Sequence, residues 1–241
     1  MFQATAFEYR FRYWIHALIY VIGFCSPWEK NWFRLGEHTA WVRLAAWLAE
    51  HHWLGFSEAT ITVLVLATAL AILGAWLRTW GASYLGAATV LRGDLVGNRI
   101  IADGPYRHLR NPLYLGTILH TLAVAILMRP AGAIITIILL IIFQLRLIGS
   151  EEPFLTSQLG PVYTEYCKAV PSLLFRIKPR VPPSGLQPRW MQGLLSEVYM
   201  IGTAISFAAL GWAYSSTLIL QGLLVSLGLS FVARAFISQK Q

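Results

Sequence analysis

Six apolar stretches, at about 11–27, 59–77, 113–128, 130–149, 196–214 and 217–236, alternate with shorter polar segments along the chain. The second and fourth are long enough to cross a hydrocarbon core of roughly 30 Å at about 1.5 Å per helical residue. The third runs only from 113 to 128 before Arg129-Pro130. It spans only if neighbouring residues extend it or the bilayer thins around it. Backbone polar groups in lipid need internal partners, so these stretches are predicted to be helical. Residues 39–54 follow another pattern, with apolar positions near helical spacing interrupted by Arg43 and Glu50. Together with Trp41, Trp47 and Trp53 this predicts an interfacial amphipathic helix, its indoles at headgroup depth. The predicted fold is therefore an all-α polytopic membrane protein with about six transmembrane helices.

Polar and breaker residues divide this pattern into four parts. Residues 1–94 hold the N-terminal membrane helices and the interfacial segment. The second helix carries Ala67, Ala71 and Ala75 at four-residue spacing, a stripe suited to close packing. Between 78 and 112, Gly81, Gly86, Gly93 and Gly97 break the apolar run, and Asp103-Gly104-Pro105 makes a turn. Arg129-Pro130 allows a tight reversal, so the third and fourth stretches should pair as an antiparallel hairpin within a core at 95–175. Residues 176–195 are basic and proline-rich and read as a linker along the membrane surface. Residues 196–241 read as an appended, lipid-facing hairpin, without an ionisable residue between Glu197 and Arg234.

Composition agrees: 56% of residues are hydrophobic, 12% are charged, and the mean hydropathy is +0.57. The net charge of +8 would suggest nucleic acid in a soluble protein, but its distribution argues otherwise. With six spans, only Lys30, Arg34, Arg43 and Arg129 lie on one side, and the other fifteen of the nineteen Lys and Arg share the side of the termini. That asymmetry predicts cytoplasmic termini and a cytoplasmic site in an integral protein of the cell or inner membrane. It leaves no need for a nucleic-acid partner. Glu8 precedes the first apolar run and no small-residue cleavage pattern follows Cys25, so the run is expected to stay as a helix. Cys25 and Cys167 fall on opposite sides and cannot bridge. His51 and His52 adjoin rather than repeat at helical spacing, so no metal site is expected. His120, within a membrane helix, should be hydrogen-bonded inside the bundle.

The chemistry-bearing stretch is DGPYRHLRNPLYLG at 103–116, ahead of a hairpin that leads to Glu151-Glu152. Asp103, Arg107, His108, Arg110 and both glutamates should gather at the hairpin mouth. Charge at a membrane boundary usually has a task. GPYRHLRNPLY, followed after the hairpin by EEPFLTSQLGPVYTEYCKAVP at 151–171, resembles the isoprenylcysteine carboxyl methyltransferase and phospholipid methyltransferase superfamily of integral membrane enzymes. The resemblance rests on Gly104, Tyr106, Arg110, Asn111, Pro112, Tyr114, Glu151, Glu152, Leu159, Gly160, Tyr163, Tyr166, Val170 and Pro171, and covers about residues 95–175.

The resemblance implies S-adenosyl-L-methionine as cofactor, in a cytoplasmic pocket at the hairpin mouth, with a lipophilic or lipidated acceptor entering from the bilayer. Its binding positions would fall on Asn98, Arg99, Ile100 and Ile101, on Tyr106, on Arg110, Asn111, Pro112, Leu113 and Tyr114, and on Glu152. Carboxylates suit the cofactor's ammonium, an arginine fork suits its carboxylate, and tyrosine faces suit its sulfonium. Glu151, Glu152 and Arg146 are the catalytic candidates. A carboxylate or thiolate acceptor needs no general base, whereas an amine needs a proton acceptor, and either glutamate could serve.

Within that resemblance the first expectation is isoprenylcysteine-type carboxyl methylation, with phospholipid amine methylation as the alternative. Asn111 stands where the prenylcysteine enzymes usually have His. Their arginine four residues before the first Glu would fall on Leu147, with Arg146 one step away, about 100° around a helix. A sterol-reductase-like enzyme using a nicotinamide cofactor has a similar Gly-x-Tyr run, but it would place His-Pro-Asn-Tyr where this chain has Asn111-Pro112-Leu113-Tyr114.

Overall fold

A computed structural model describes residues 3–26, 38–86 and 100–237, which form helices and connecting turns without a strand. The helices are α1 (Ala6–Arg10), α2 (Arg12–Cys25), α3 (Ala40–Glu50), α4 (Phe56–Leu85), α5 (Pro112–Ala125), α6 (Pro130–Leu159), α7 (Pro161–Ala169), α8 (Trp190–Ser196), α9 (Val198–Leu210) and α10 (Ser216–Ala235). Single 3-10 turns occupy Gly104–Arg107 and Gly211–Ala213.

Among the described residues three helices, α4, α6 and α10, are long and apolar enough to cross a membrane, and α8 with the segment Val198–Ala213 makes a fourth if that pair, bent by 71°, counts as one. Three or four of the six expected spans thus meet the length and composition needed to cross. Length sets the others apart: α2 and α5 have 14 residues each, about 21 Å of rise against a core of roughly 30 Å.

The long helix α4 is the axis of the assembly, packed by α3, α5, α8 and α9, while α2 and α5 pack on α6. Ala67, Ala71 and Ala75 are all buried along α4, as their spacing predicts. Gly74 completes the stripe. A Cβ there would lie 2.8 Å from the Gly116 carbonyl oxygen of α5, so any side chain would wedge the two helices apart. The interfacial helix also forms. Trp41 is buried and its indole N–H donates to the Thr60 carbonyl at 2.9 Å, while Trp47 and Trp53 are exposed.

The last hairpin is fastened to the core more firmly than its sequence suggests. Glu197 lies at the bend between α8 and α9 and is 2% exposed. Arg78 of α4 donates to it from Nε at 2.6 Å and from Nη2 at 2.8 Å. The remaining nitrogen, Nη1, donates to Thr117 Oγ1 at 2.8 Å and to the Leu113 carbonyl at 3.2 Å. Removing two charges from water costs several kcal/mol per ion, and such a pair persists when every polar atom is satisfied, as here. His120 departs from expectation. It is buried, and neither ring nitrogen finds a hydrogen-bond partner among the described residues. Its ring instead stands edge-on to Tyr20 and Tyr199.

Candidate active site

The motif at 103–114 runs from a tight turn into α5, where Pro112 occupies the first helical turn, the position at which a missing N–H costs nothing. A second strip of chain, 170–186, lies alongside it and ties each step down. Arg110 and Asn111 donate backbone N–H groups to the carbonyls of Pro171 and Ser172, and the Arg176 and Arg180 N–H groups reach the His108 and Arg107 carbonyls. The Arg107 Nε donates to the Val181 carbonyl at 2.9 Å. Asp103 anchors the far end by accepting from the backbone N–H groups of Ser184, Gly185 and Leu186 and from the Ser184 hydroxyl. Burial alone would raise the Asp103 carboxyl, but these bonds outweigh it and hold the group below the usual aspartate range. The basic, proline-rich segment is thus a belt around the motif over its first half.

Glu151 and Glu152 do not end their helix; α6 continues through Pro153 to Leu159, where Gly160 at φ 62° turns the chain into α7. Neighbouring helical residues point about 100° apart, so the two carboxylates separate. Glu152 turns towards the motif and is saturated. It accepts from Arg110 Nε at 3.0 Å and Nη2 at 2.9 Å, from Asn111 Nδ2 at 2.9 Å and from the Ser172 hydroxyl at 3.0 Å. Arg110 Nη1 meanwhile donates to the carbonyls of Cys167 and Val170, at 2.7 and 2.8 Å. The arginine fork expected for a cofactor carboxylate therefore closes on Glu152, and one ion pair joins α6, the motif and the end of α7.

Glu151 turns the other way, towards α1 and α2. Its Oε2 accepts the Tyr114 hydroxyl at 2.6 Å. Leu147, one turn earlier on the same face, is fully buried in an apolar cluster with Tyr9, Ile19, Leu140 and Phe143, against which Tyr114 and Ile118 also pack. Arg12, at the start of α2, lies within electrostatic reach of both Glu151 and Tyr114. Its guanidinium carbon sits 4.7 Å from the Tyr9 ring centroid and 4.9 Å from that of Tyr13.

Arg146 is not on this face. One residue of helical rotation directs it to the N-terminal segment, where Nε and Nη2 meet Glu8 at 3.1 and 2.7 Å. The Ala4 N–H also donates to the Arg146 carbonyl. Hydrogen bonds from Arg146 hold the Glu8 carboxyl down at about 2.

Of the other positions expected to bind cofactor, Asn98 and Arg99 lie outside the described residues. Ile100 packs on the cluster of Tyr163, Tyr166 and Val170, and Ile101 is half-buried beside it. Tyr106 is buried, its carbonyl accepting the Tyr166 hydroxyl at 2.7 Å, and the Leu113 carbonyl accepts from Arg78. A cavity of about 310 Å³ opens not at the glutamates but between the end of α4 and the belt, lined by Tyr84, Leu85, Gly86 and residues 186–189. It adjoins the motif through Tyr84, which packs directly on Gly104. Sequence reasoning did not identify Ser172, Arg12, Tyr9 or the Ser184 strap as parts of this region. The signal for Ser172 was its place directly after Val170-Pro171; the others carried none. No group of His, Cys, Asp and Glu suited to a metal ion occurs among the described residues.

Residues 62–161 match the family model of the phospholipid methyltransferases, which form one integral-membrane superfamily with the isoprenylcysteine carboxyl methyltransferases, as the two motifs imply. The matched range holds α4, the motif, α5 and α6, hence both glutamates. No curated protein and no solved structure matches significantly. This part of the chain is thus similar to the phospholipid methyltransferases, and the long apolar helices fit an integral membrane protein.

Proposed function

We propose that the protein methylates the amine of a membrane phospholipid, using S-adenosyl-L-methionine from the cytoplasmic side, with Glu151 as proton acceptor. The observation that carries this reading is the divergence of the two glutamates: Glu152 is saturated by Arg110, Asn111 and Ser172, while Glu151 meets Tyr114 beside an apolar wall. The residues present suit the cofactor. The Tyr114 face suits a sulfonium, and the cavity beside Tyr84 offers an aromatic ring and the cation of Arg189. Bound there, the cofactor would supply an electrophilic methyl group. Glu151 would remove the proton from the lipid ammonium, leaving the nitrogen lone pair free to attack. Leu147, Tyr9 and Ile118 would hold the reacting groups away from water.

Carboxyl methylation of a prenylated cysteine is the second reading, and it needs a cation facing the acceptor carboxylate. The expected position holds Leu147, buried among apolar side chains, and Arg146 is engaged with Glu8, so neither of these two residues supplies that cation. The test offers purified protein an ethanolamine phospholipid and a prenylcysteine analogue side by side with radiolabelled cofactor. Label in the phospholipid supports the proposal, and label only in the prenyl analogue refutes it. Saturable NADPH binding without cofactor binding would point to a reductase instead.

A further inference from the structure

We propose that residues 173–180 of the belt form a docking surface for anionic phospholipid. Leu174 and Ile177 enter the hydrocarbon edge of the leaflet, while Arg176, Lys178 and Arg180 take the lipid phosphates. This contact is independent of which molecule accepts the methyl group.

A row of five aromatic rings fixes the depth of the segment. Trp190 of α8 stacks on Trp76 of α4, with ring centroids 6.2 Å apart, and Trp76 lies 6.0 Å from Trp80. Trp80 lies 5.9 Å from His108 of the motif, and His108 stacks on Phe175 of the belt at 5.1 Å. Trp76 and Trp80 bracket Arg78, where the apolar run of α4 ends, and indoles at such a boundary sit at headgroup depth. Trp76, Trp190 and Phe175 are all exposed. The row therefore carries the headgroup level from α4 across the motif to the belt.

The side chains at that level combine two characters. Leu174 is 70% exposed and Ile177 88%, apolar surface that is costly to leave in water. Arg176, Lys178 and Arg180, set among them, are exposed as well, and their side chains make no ion pair or hydrogen bond among the described residues. No aspartate or glutamate occurs between Glu165 and Glu197, so the segment's charge is entirely positive. Apolar side chains beside cations complement hydrocarbon below and phosphate above. An arginine fork bonds two phosphate oxygens, and a lysine reaches a third from its apolar stem. An acidic protein would match the cations but leave Leu174 and Ile177 without hydrocarbon at the depth the indoles mark.

The segment is also held in shape before any lipid arrives. The Arg176 and Arg180 N–H groups donate to the His108 and Arg107 carbonyls, and His108 Nδ1 donates to the Arg176 carbonyl at 2.6 Å. Little order is lost on docking, and lipid that grips the belt steadies the motif bonded beneath it.

The test places a bimane label on Ile177→Cys in full-length Cys25→Ser/Cys167→Ser protein. Nanodiscs contain phosphatidylcholine alone or an equal mixture with phosphatidylglycerol. Doxyl lipid quenches the label from within the leaflet, and acrylamide quenches it from water. Phosphatidylglycerol is expected to raise the doxyl quenching about twofold or more and to lower the acrylamide quenching, an increment that shrinks at high salt. The combined Arg176→Gln, Lys178→Gln and Arg180→Gln protein should lose that increment, whereas Arg176→Lys with Arg180→Lys should keep it. Unchanged thermal melting marks the variants as folded; if the combined variant melts early, the three single substitutions replace it, each expected to remove part of the increment. Equal doxyl quenching in both bilayers, or an increment that survives loss of the three cations, would overturn the inference. So would strong acrylamide quenching in the presence of phosphatidylglycerol, since it would leave the segment in water.

Discussion

Arg110 and Glu152 lie 42 positions apart in the chain and meet through two parallel hydrogen bonds, of 3.0 and 2.9 Å. Arg110 also donates to the carbonyls of Cys167 and Val170, so the pair is not a simple exchange of charges. A double-mutant cycle over Arg110→Ala and Glu152→Ala should give a coupling of about 2 kcal/mol, the range of a charge-assisted bond with partial solvent access. The swapped pair, Arg110→Glu with Glu152→Arg, should not restore stability, because a carboxylate at 110 cannot donate to those carbonyls. Full rescue by the swap would reduce the contact to a plain salt bridge. Both quantities are read from chemical unfolding in detergent.

Glu151→Gln should leave that stability unchanged while lowering turnover by roughly 100-fold or more, the usual scale for loss of a general base. Tyr114→Phe should cost less, since it removes one hydrogen bond and leaves the carboxylate. Equal activity of wild type and Glu151→Gln would mean that the proton leaves by another route.

The Glu8–Arg146 contact is an anchor for the N-terminus, and Arg146→Leu is expected to keep turnover within twofold. Because Arg146 depresses the Glu8 carboxyl from 4.5 to about 2, its stabilisation is complete above pH 4.5 and is lost as pH falls through about 2. Thermal melting of wild type and Glu8→Gln should therefore differ by a constant amount near neutrality and converge towards pH 2. Curves that stay apart at pH 2 would contradict this account.

Orientation can be read from Cys167, on α7 beside the motif belt. Burial pushes its thiol pKa up, so labelling should be run near pH 9, where more thiolate is present. In a Cys25→Ser background, an impermeant maleimide should modify Cys167 only after the cells are permeabilised. Labelling in intact cells would place the motif side outside, against the distribution of arginines and lysines.

Much of this architecture was legible as pattern. The alanine stripe predicted the α4 packing face, Arg129-Pro130 predicted the hairpin, and the two motifs were expected to meet at its mouth, as the bonds from Asn111 and Tyr114 show. Other features were not legible, for a physical reason. Which way Arg146 points depends on the rotation of α6, and a one-residue step moves a side chain from the site to the N-terminus. Helix length was also not legible: the apolar runs at 11–27 and 113–128 carry helices of 14 residues each. The roles of Ser172, Ser184 and Glu197 depend on contacts across tens of residues, and local composition carries no record of those.

The contact between Arg78 and Glu197 has a consequence for biogenesis. The two residues are 119 positions apart, so at about 5–20 residues per second the ribosome makes the glutamate roughly 6–24 s after the arginine. For that interval α4 carries a cation with its partner still unmade, and the guanidinium must reach for the lipid headgroups at the membrane surface. The final hairpin, on arrival, brings the charge that lets Arg78 withdraw between α4 and α5. Closure of the bundle is thus timed by the end of translation, and a chain stopped before residue 197 should be held as an open intermediate and recognised by membrane quality control.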